Sequence, residues 1–80
     1  MAPTYEEFKA LVKARFLKYE DMASVGIEKM EEYLSCKEST DVIKQQYDLS
    51  VKELERGEIT ENIFRNGSVS AAAHCLYMMY

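Results

Sequence analysis

The 80-residue chain contains one proline, three glycines, two cysteines, one histidine and no tryptophan. So little proline and glycine excludes a collagen-like repeat and a Gly/Ser linker, and a hydrophobic content of 48% excludes a disordered tail. Long apolar runs are also missing. The stretch from Val69 to Tyr80 is interrupted by Ser70 and His74, and a membrane-spanning helix needs about 18 apolar residues or more. No membrane partner is expected. An excess of basic charge is lacking too: ten Lys and Arg stand against fourteen Asp and Glu, for a net charge of −4. Binding to phosphate backbones depends on neutralising cations, so nucleic acid is an unfavourable partner. What remains is enough chain for one domain over residues 1–80, with a single core.

The scarcity of His and Cys limits the chemistry. His74 and Cys75 are adjacent, and neighbouring helical residues project about 100° apart, so they cannot act on each other as base and nucleophile. A structural zinc site wants four ligands in close pairs, whereas only Cys36, His74 and Cys75 are on offer, without that spacing. A di-iron carboxylate site uses Glu-x-x-His, and the residue three before His74 is Ala71. Phosphate-cradling loops need clustered glycines after a strand, which this chain does not have. The expectation is a protein without enzymatic activity, cofactor or metal. The N-terminus has no basic stretch followed by an apolar run, which predicts a cytoplasmic setting with Cys36 and Cys75 as free thiols.

Helical patterning dominates. Thr4 with Glu7 makes a capping box, and Phe8, Leu11, Val12, Phe16 and Tyr19 follow at spacings of three and four, predicting a helix from Thr4 to about Tyr19. Met22, Val25, Ile27, Met30, Tyr33 and Leu34 continue the period, with a break expected within residues 20–25 and Ser24 as the next cap. The polar run from Ser35 to Thr40 reads as a loop. A third helix is expected from about Asp41, capped by Ser39 or Thr40 and stopped by Arg56-Gly57. A short helix around Ile59, Ile63 and Phe64 should end at Asn66-Gly67, followed by a last helix capped by Ser68 and apolar nearly all round. Asn66-Gly67 is also a hairpin signal, but Ala71-Ala72-Ala73 suits a helix better than a strand.

These elements predict an all-α fold, a compact bundle of four or five short helices. Its expected core is Phe8, Leu11, Val12, Phe16, Met30, Leu34, Ile43, Tyr47, Val51, Leu54, Ile63, Phe64, Ala72 and Leu76.

Charge is unevenly spread. Lys9, Lys13, Arg15 and Lys18 make the first helix basic, whereas residues 20–63 hold twelve of the fourteen acids. Glu28, Glu31 and Glu32 form a candidate acidic patch. Six tyrosines and five methionines are a large share of so short a chain. Tyr is enriched at interfaces and Met adapts its shape there. The terminal Tyr77-Met78-Met79-Tyr80 is therefore the candidate interface, docking into the domain's own groove or onto a partner.

The opening Tyr5-Glu6-Glu7-Phe8-Lys9, together with Phe64-Arg65-Asn66-Gly67-Ser68 and the ending Cys75-Leu76-Tyr77-Met78-Met79-Tyr80, resembles small uncharacterised helical proteins of bacterial mobile elements and prophages. The resemblance implies a bacterial, cytoplasmic accessory protein. It transfers no functional residue, because no activity is established for such proteins.

The leading functional expectation is a small protein-interaction module that self-associates through its C-terminal helix. An alternative is an acidic nucleic-acid mimic that inhibits a host defence or restriction enzyme, with carboxylates standing in for phosphates. A weaker one is a DNA-binding accessory protein using the first helix.

Overall fold

The computed structural model describes residues 2–19 and 24–79, apart from the side chain of Ile27. Among them the chain is helical, with no strand: α1 is Tyr5–Phe16, α2 Ile27–Ser35, α3 Lys37–Glu55, α4 Glu61–Ile63 and α5 Val69–Met79, with a π-helical segment, Phe64–Ser68, joining α4 to α5. This is the expected all-α bundle of short helices, and its described residues contain no hairpin at Asn66-Gly67.

Local chemistry accounts for several ends. Thr4 caps α1 by accepting a hydrogen bond from the Glu7 amide at 3.1 Å. The helix stops at Phe16, short of Tyr19, and the Leu17 and Lys18 amides bond back to Lys13 and Arg15 in a tightening last turn. At the end of α3, Gly57 takes φ +74°, a conformation natural to glycine. The Glu58 amide then reaches the Glu53 carbonyl at 2.9 Å and the Gly57 amide reaches Leu54 at 3.1 Å. That pairing satisfies carbonyls the helix end would leave open.

Three expectations need correction. Ser24 does not cap α2; Gly26 does, at φ +98° and with no side-chain bond, so the glycine stands before the helix and not inside it. Part of the expected break, residues 20–23, lies outside the described residues. The run from Ser35 to Thr40 is not a loop. Only Cys36 departs from helix, with ψ 155°, and α3 begins at Lys37, so neither Ser39 nor Thr40 is its cap. The hydroxyls that argued for a loop bond within the helices: Ser35 donates to the Glu31 carbonyl at 2.8 Å and Thr40 to that of Lys37 at 3.0 Å. Finally, Asn66-Gly67 ends nothing and Ser68 caps nothing. The chain stays helical from 61 to 79, and the Asn66 amide group bonds back to the Asn62 carbonyl at 2.9 Å.

The π segment has a packing reason. A wider turn absorbs one extra residue. Phe64 thereby joins Val69, Ala72, Ala73 and Leu76 in one buried face.

That face meets α1 and α3 at the centre of the molecule. Phe8, Val12, Phe16, Met30, Ile43, Phe64, Ala72 and Leu76 are buried as expected, joined by Val69 and Ala73. Leu11, Leu34, Tyr47, Val51 and Leu54 pack at the margin, half-buried. Ile63 does not belong to the core: it is 48% exposed, because the turn that carries Phe64 inward points its predecessor out.

Aromatic rings knit the two ends together. Phe8 meets Phe64 edge-on at 5.7 Å, and Tyr47 stands 5.3 Å from Phe8 and 5.9 Å from Phe64. Such tilted contacts place ring edges against ring faces.

Candidate functional site

Ion pairing divides the surface. On α1, Lys9 pairs with Glu6 at 3.2 Å; on α2, Lys29 with Glu32 at 3.9 Å. On α3, Lys37 pairs with Asp41 at 2.9 Å and Lys44 with Asp48 at 3.1 Å, and at α4 Arg65 pairs with Glu61 at 3.2 Å. Helix α5 has no Asp, Glu, Lys or Arg along Val69–Met79. Its inner residues are buried, but Ala71, His74, Cys75, Met78 and Met79 face out.

Beside them on α3 lies a second uncharged row, Val42, Gln45, Gln46 and Leu49, at the spacing of one helix face. A shallow groove of about 170 Å³ runs between the rows, lined by these four residues and Cys75. Leu49 is 54% and Met78 70% exposed, high values for large apolar side chains. The result is a two-helix neutral surface on a chain that is 30% charged.

The C-terminal candidates separate here. Met78 and Met79 are exposed, whereas Tyr77 is half-buried and stacks on Tyr19 at 4.4 Å with rings 18° apart. Tyr77 thus anchors α5 beside the end of α1. Tyr80 lies outside the described residues. Leu49 and Gln45 do not stand out in the sequence, although their spacing of four residues is visible there. Val42 and Gln46 read from the sequence as members of the inward stripe of Ile43, Tyr47, Val51 and Leu54 on the same helix, which obscures the row.

Glu28, Glu31 and Glu32 are all exposed on α2. Glu31 binds Lys13 of α1 and Glu32 binds Lys29, so part of that acidic charge is matched within the molecule. The cations of α1 are similarly engaged: Lys9 with Glu6, Lys13 with Glu31, and Arg15 with the Ser70 hydroxyl.

A cavity of about 480 Å³ between α1, α2 and α3 has Leu34 and Ile43 in its lining and Lys9, Lys13, Glu6 and Glu31 around it. Its ammonium groups are paired with its carboxylates, which leaves no surplus charge to select a ligand. Cys36 and Cys75 are free thiols on different surfaces, Cys36 beside Tyr33 and Met79, Cys75 beside the α3 row. Among the described residues, no three His, Cys, Asp or Glu side chains come together as metal ligands. No described helix is long and apolar enough to cross a membrane. Against family models, curated proteins and solved structures, the chain finds no match.

Proposed function

We propose that the protein is a non-enzymatic protein-interaction module whose contact surface is the neutral face shared by α3 and α5. One observation carries this reading. Cys75 on the uncharged helix α5 and the row ending in Leu49 line one groove without a charged side chain, while α1, α2 and the neighbouring face of α3 show ion pairs to solvent. Covering such a surface removes apolar area from water without stripping any charge of its hydration. A shallow trough between two helices fits an amphipathic helix, which lays a ridge of apolar side chains into it. The occupant is therefore a helix whose ridge is uncharged along its middle.

The acidic-mimic reading has less support, because Glu31 and Glu32 are paired with lysines. DNA binding through α1 has less again, since Lys9, Lys13 and Arg15 already have partners.

The test uses isotope-labelled protein and synthetic helical peptides carrying apolar ridges at i, i+3, i+4 and i+7. Ridged peptides are expected to shift the resonances of Val42, Leu49, Cys75 and Met78, and Leu49→Glu to abolish the shifts. Peptides whose ridge carries a charge at its centre should leave them unmoved. Absence of any peptide effect on this face, or binding indifferent to Leu49→Glu, overturns the proposal.

A further inference from the structure

The neutral row on α3 is the middle of a longer stripe. Glu38, Val42, Gln45, Leu49 and Lys52 succeed one another at steps of four, three, four and three along Lys37–Glu55. That is the 3.5-residue period at which two helices run side by side with a shallow crossing angle. Val42 is half-buried and the other four are exposed. The stripe spans about 21 Å at the helical rise per residue.

Its order reads the same from either end except for sign. A carboxylate opens it, an ammonium closes it, and an apolar residue stands inside each, with an amide at the centre. The other exposed lysines of α3, Lys37 and Lys44, are consumed by Asp41 and Asp48. Glu38 and Lys52 have no ion-pair partner among the described residues.

We infer that the helix occupying this face is α3 of a second copy of the chain, antiparallel to the first about a two-fold axis at Gln45. This rests on the reading of the α3–α5 face as an interaction surface. The two-fold places Glu38 against Lys52 of the second copy and Gln45 against Gln45, with Val42 and Leu49 of the two copies one residue apart in register. A closed dimer needs a self-complementary patch of this kind. In a parallel alignment carboxylate faces carboxylate and ammonium faces ammonium. Chains of net charge −4 repel one another; here they meet on neutral rows whose ends carry opposite signs. Cys75 on α5 flanks the contact. The area is small for a permanent dimer, so association depends on concentration.

Sedimentation equilibrium across a wide concentration range tests the inference, with helical content followed by circular dichroism. Wild type is expected to pass from monomer to dimer. Lys52→Glu sets like charges together at both symmetric ends, and should weaken association about tenfold. The double variant Glu38→Lys/Lys52→Glu restores the opposite pairing and should recover the wild-type constant. In a Cys36→Ser/Cys75→Ser background, Gln45→Cys should be joined across the axis by a short bis-maleimide, and Glu28→Cys on α2 should not.

A wild type that stays monomeric throughout overturns the inference. So does a charge-swapped variant no better than Lys52→Glu, or cross-linking at 28 in place of 45. If peptides still bind the face while the chain remains monomeric, the interaction surface stands and the second copy is rejected as its occupant.

Discussion

The Tyr47 hydroxyl on α3 donates a 2.8 Å hydrogen bond to the Pro3 carbonyl, forty-four positions earlier in the chain. The same ring packs 5.4 Å from Tyr5 and 5.3 Å from Phe8. One side chain thus ties the entry of α1 to the middle of α3 by both a polar and an apolar contact. Tyr47→Phe keeps the ring and removes the bond. It is expected to cost about 1 kcal/mol in urea unfolding, with Tyr47→Ala costing more because the ring contacts are lost as well. An unchanged midpoint for Tyr47→Phe would show that the bond contributes nothing.

Glycine substitutions should differ in sign along the chain. Gly67 sits in the π segment without a left-handed φ, and a Cβ there would lie 3.5 Å from Ile63 Cγ2, an ordinary contact. Gly67→Ala is expected to stabilise by about 0.5–1 kcal/mol, since glycine loses more backbone freedom on folding. Gly57 and Gly26 take φ +74° and +98°, so alanine at either is strained and should lower the melting temperature. Thermal unfolding of the three variants decides; a loss at Gly67 equal to that at Gly57 would contradict the account.

Helix α2 is the most lightly held of the longer helices. Its main packing is on α3, with Met30 buried among its described side chains, and the Lys13–Glu31 pair ties it to α1. Local openings follow such thin packing. Amide exchange is expected to be faster in Ile27–Ser35 than in α5. Glu31→Gln should raise it about twofold further, a modest effect because the pair is solvent-exposed. Exchange in α2 as slow as in α5, and indifferent to Glu31→Gln, would refute this.

Two exposed ion pairs carry opposite pH signatures. Hydrogen bonding from Arg65 holds the Glu61 carboxyl below its usual 4.5, whereas the bond to Asp41 holds the Lys37 ammonium above its usual 10.5. A lowered carboxyl supports the fold above its unfolded pKa, and that support fades as pH falls through the folded value. A raised ammonium supports it below 10.5 and fails as pH rises through the folded value. Urea midpoints of wild type and Glu61→Gln should differ slightly near neutrality and converge below 4.5. A gap that grows in acid would reverse the assignment. High salt should narrow both effects.

Much of the secondary structure was legible because it rests on chemistry within a few residues. The Thr4 cap, the stop at Gly57 and the stripe of Phe8, Val12 and Phe16 all depend on neighbours one or two turns away. The candidate surface was legible only in part. Met78 and Met79 stood out by composition, while Leu49 did not, because an apolar residue beside a stronger stripe reads as more of the same core.

Sequence alone determined the helical class, the start of α1, the stop after α3 and the bulk of the buried set, since propensity, capping and periodicity are local. Tertiary structure decided that residues 35–40 remain helical but for Cys36, and that Asn66-Gly67 is carried through a wide turn. It also turned Ile63 and Leu49 outward while seating Val69 and Ala73 within. Those outcomes turn on which side of each helix its neighbours occupy. That is fixed by filling one shared interior from segments distant in the chain, and no window of adjacent residues contains it.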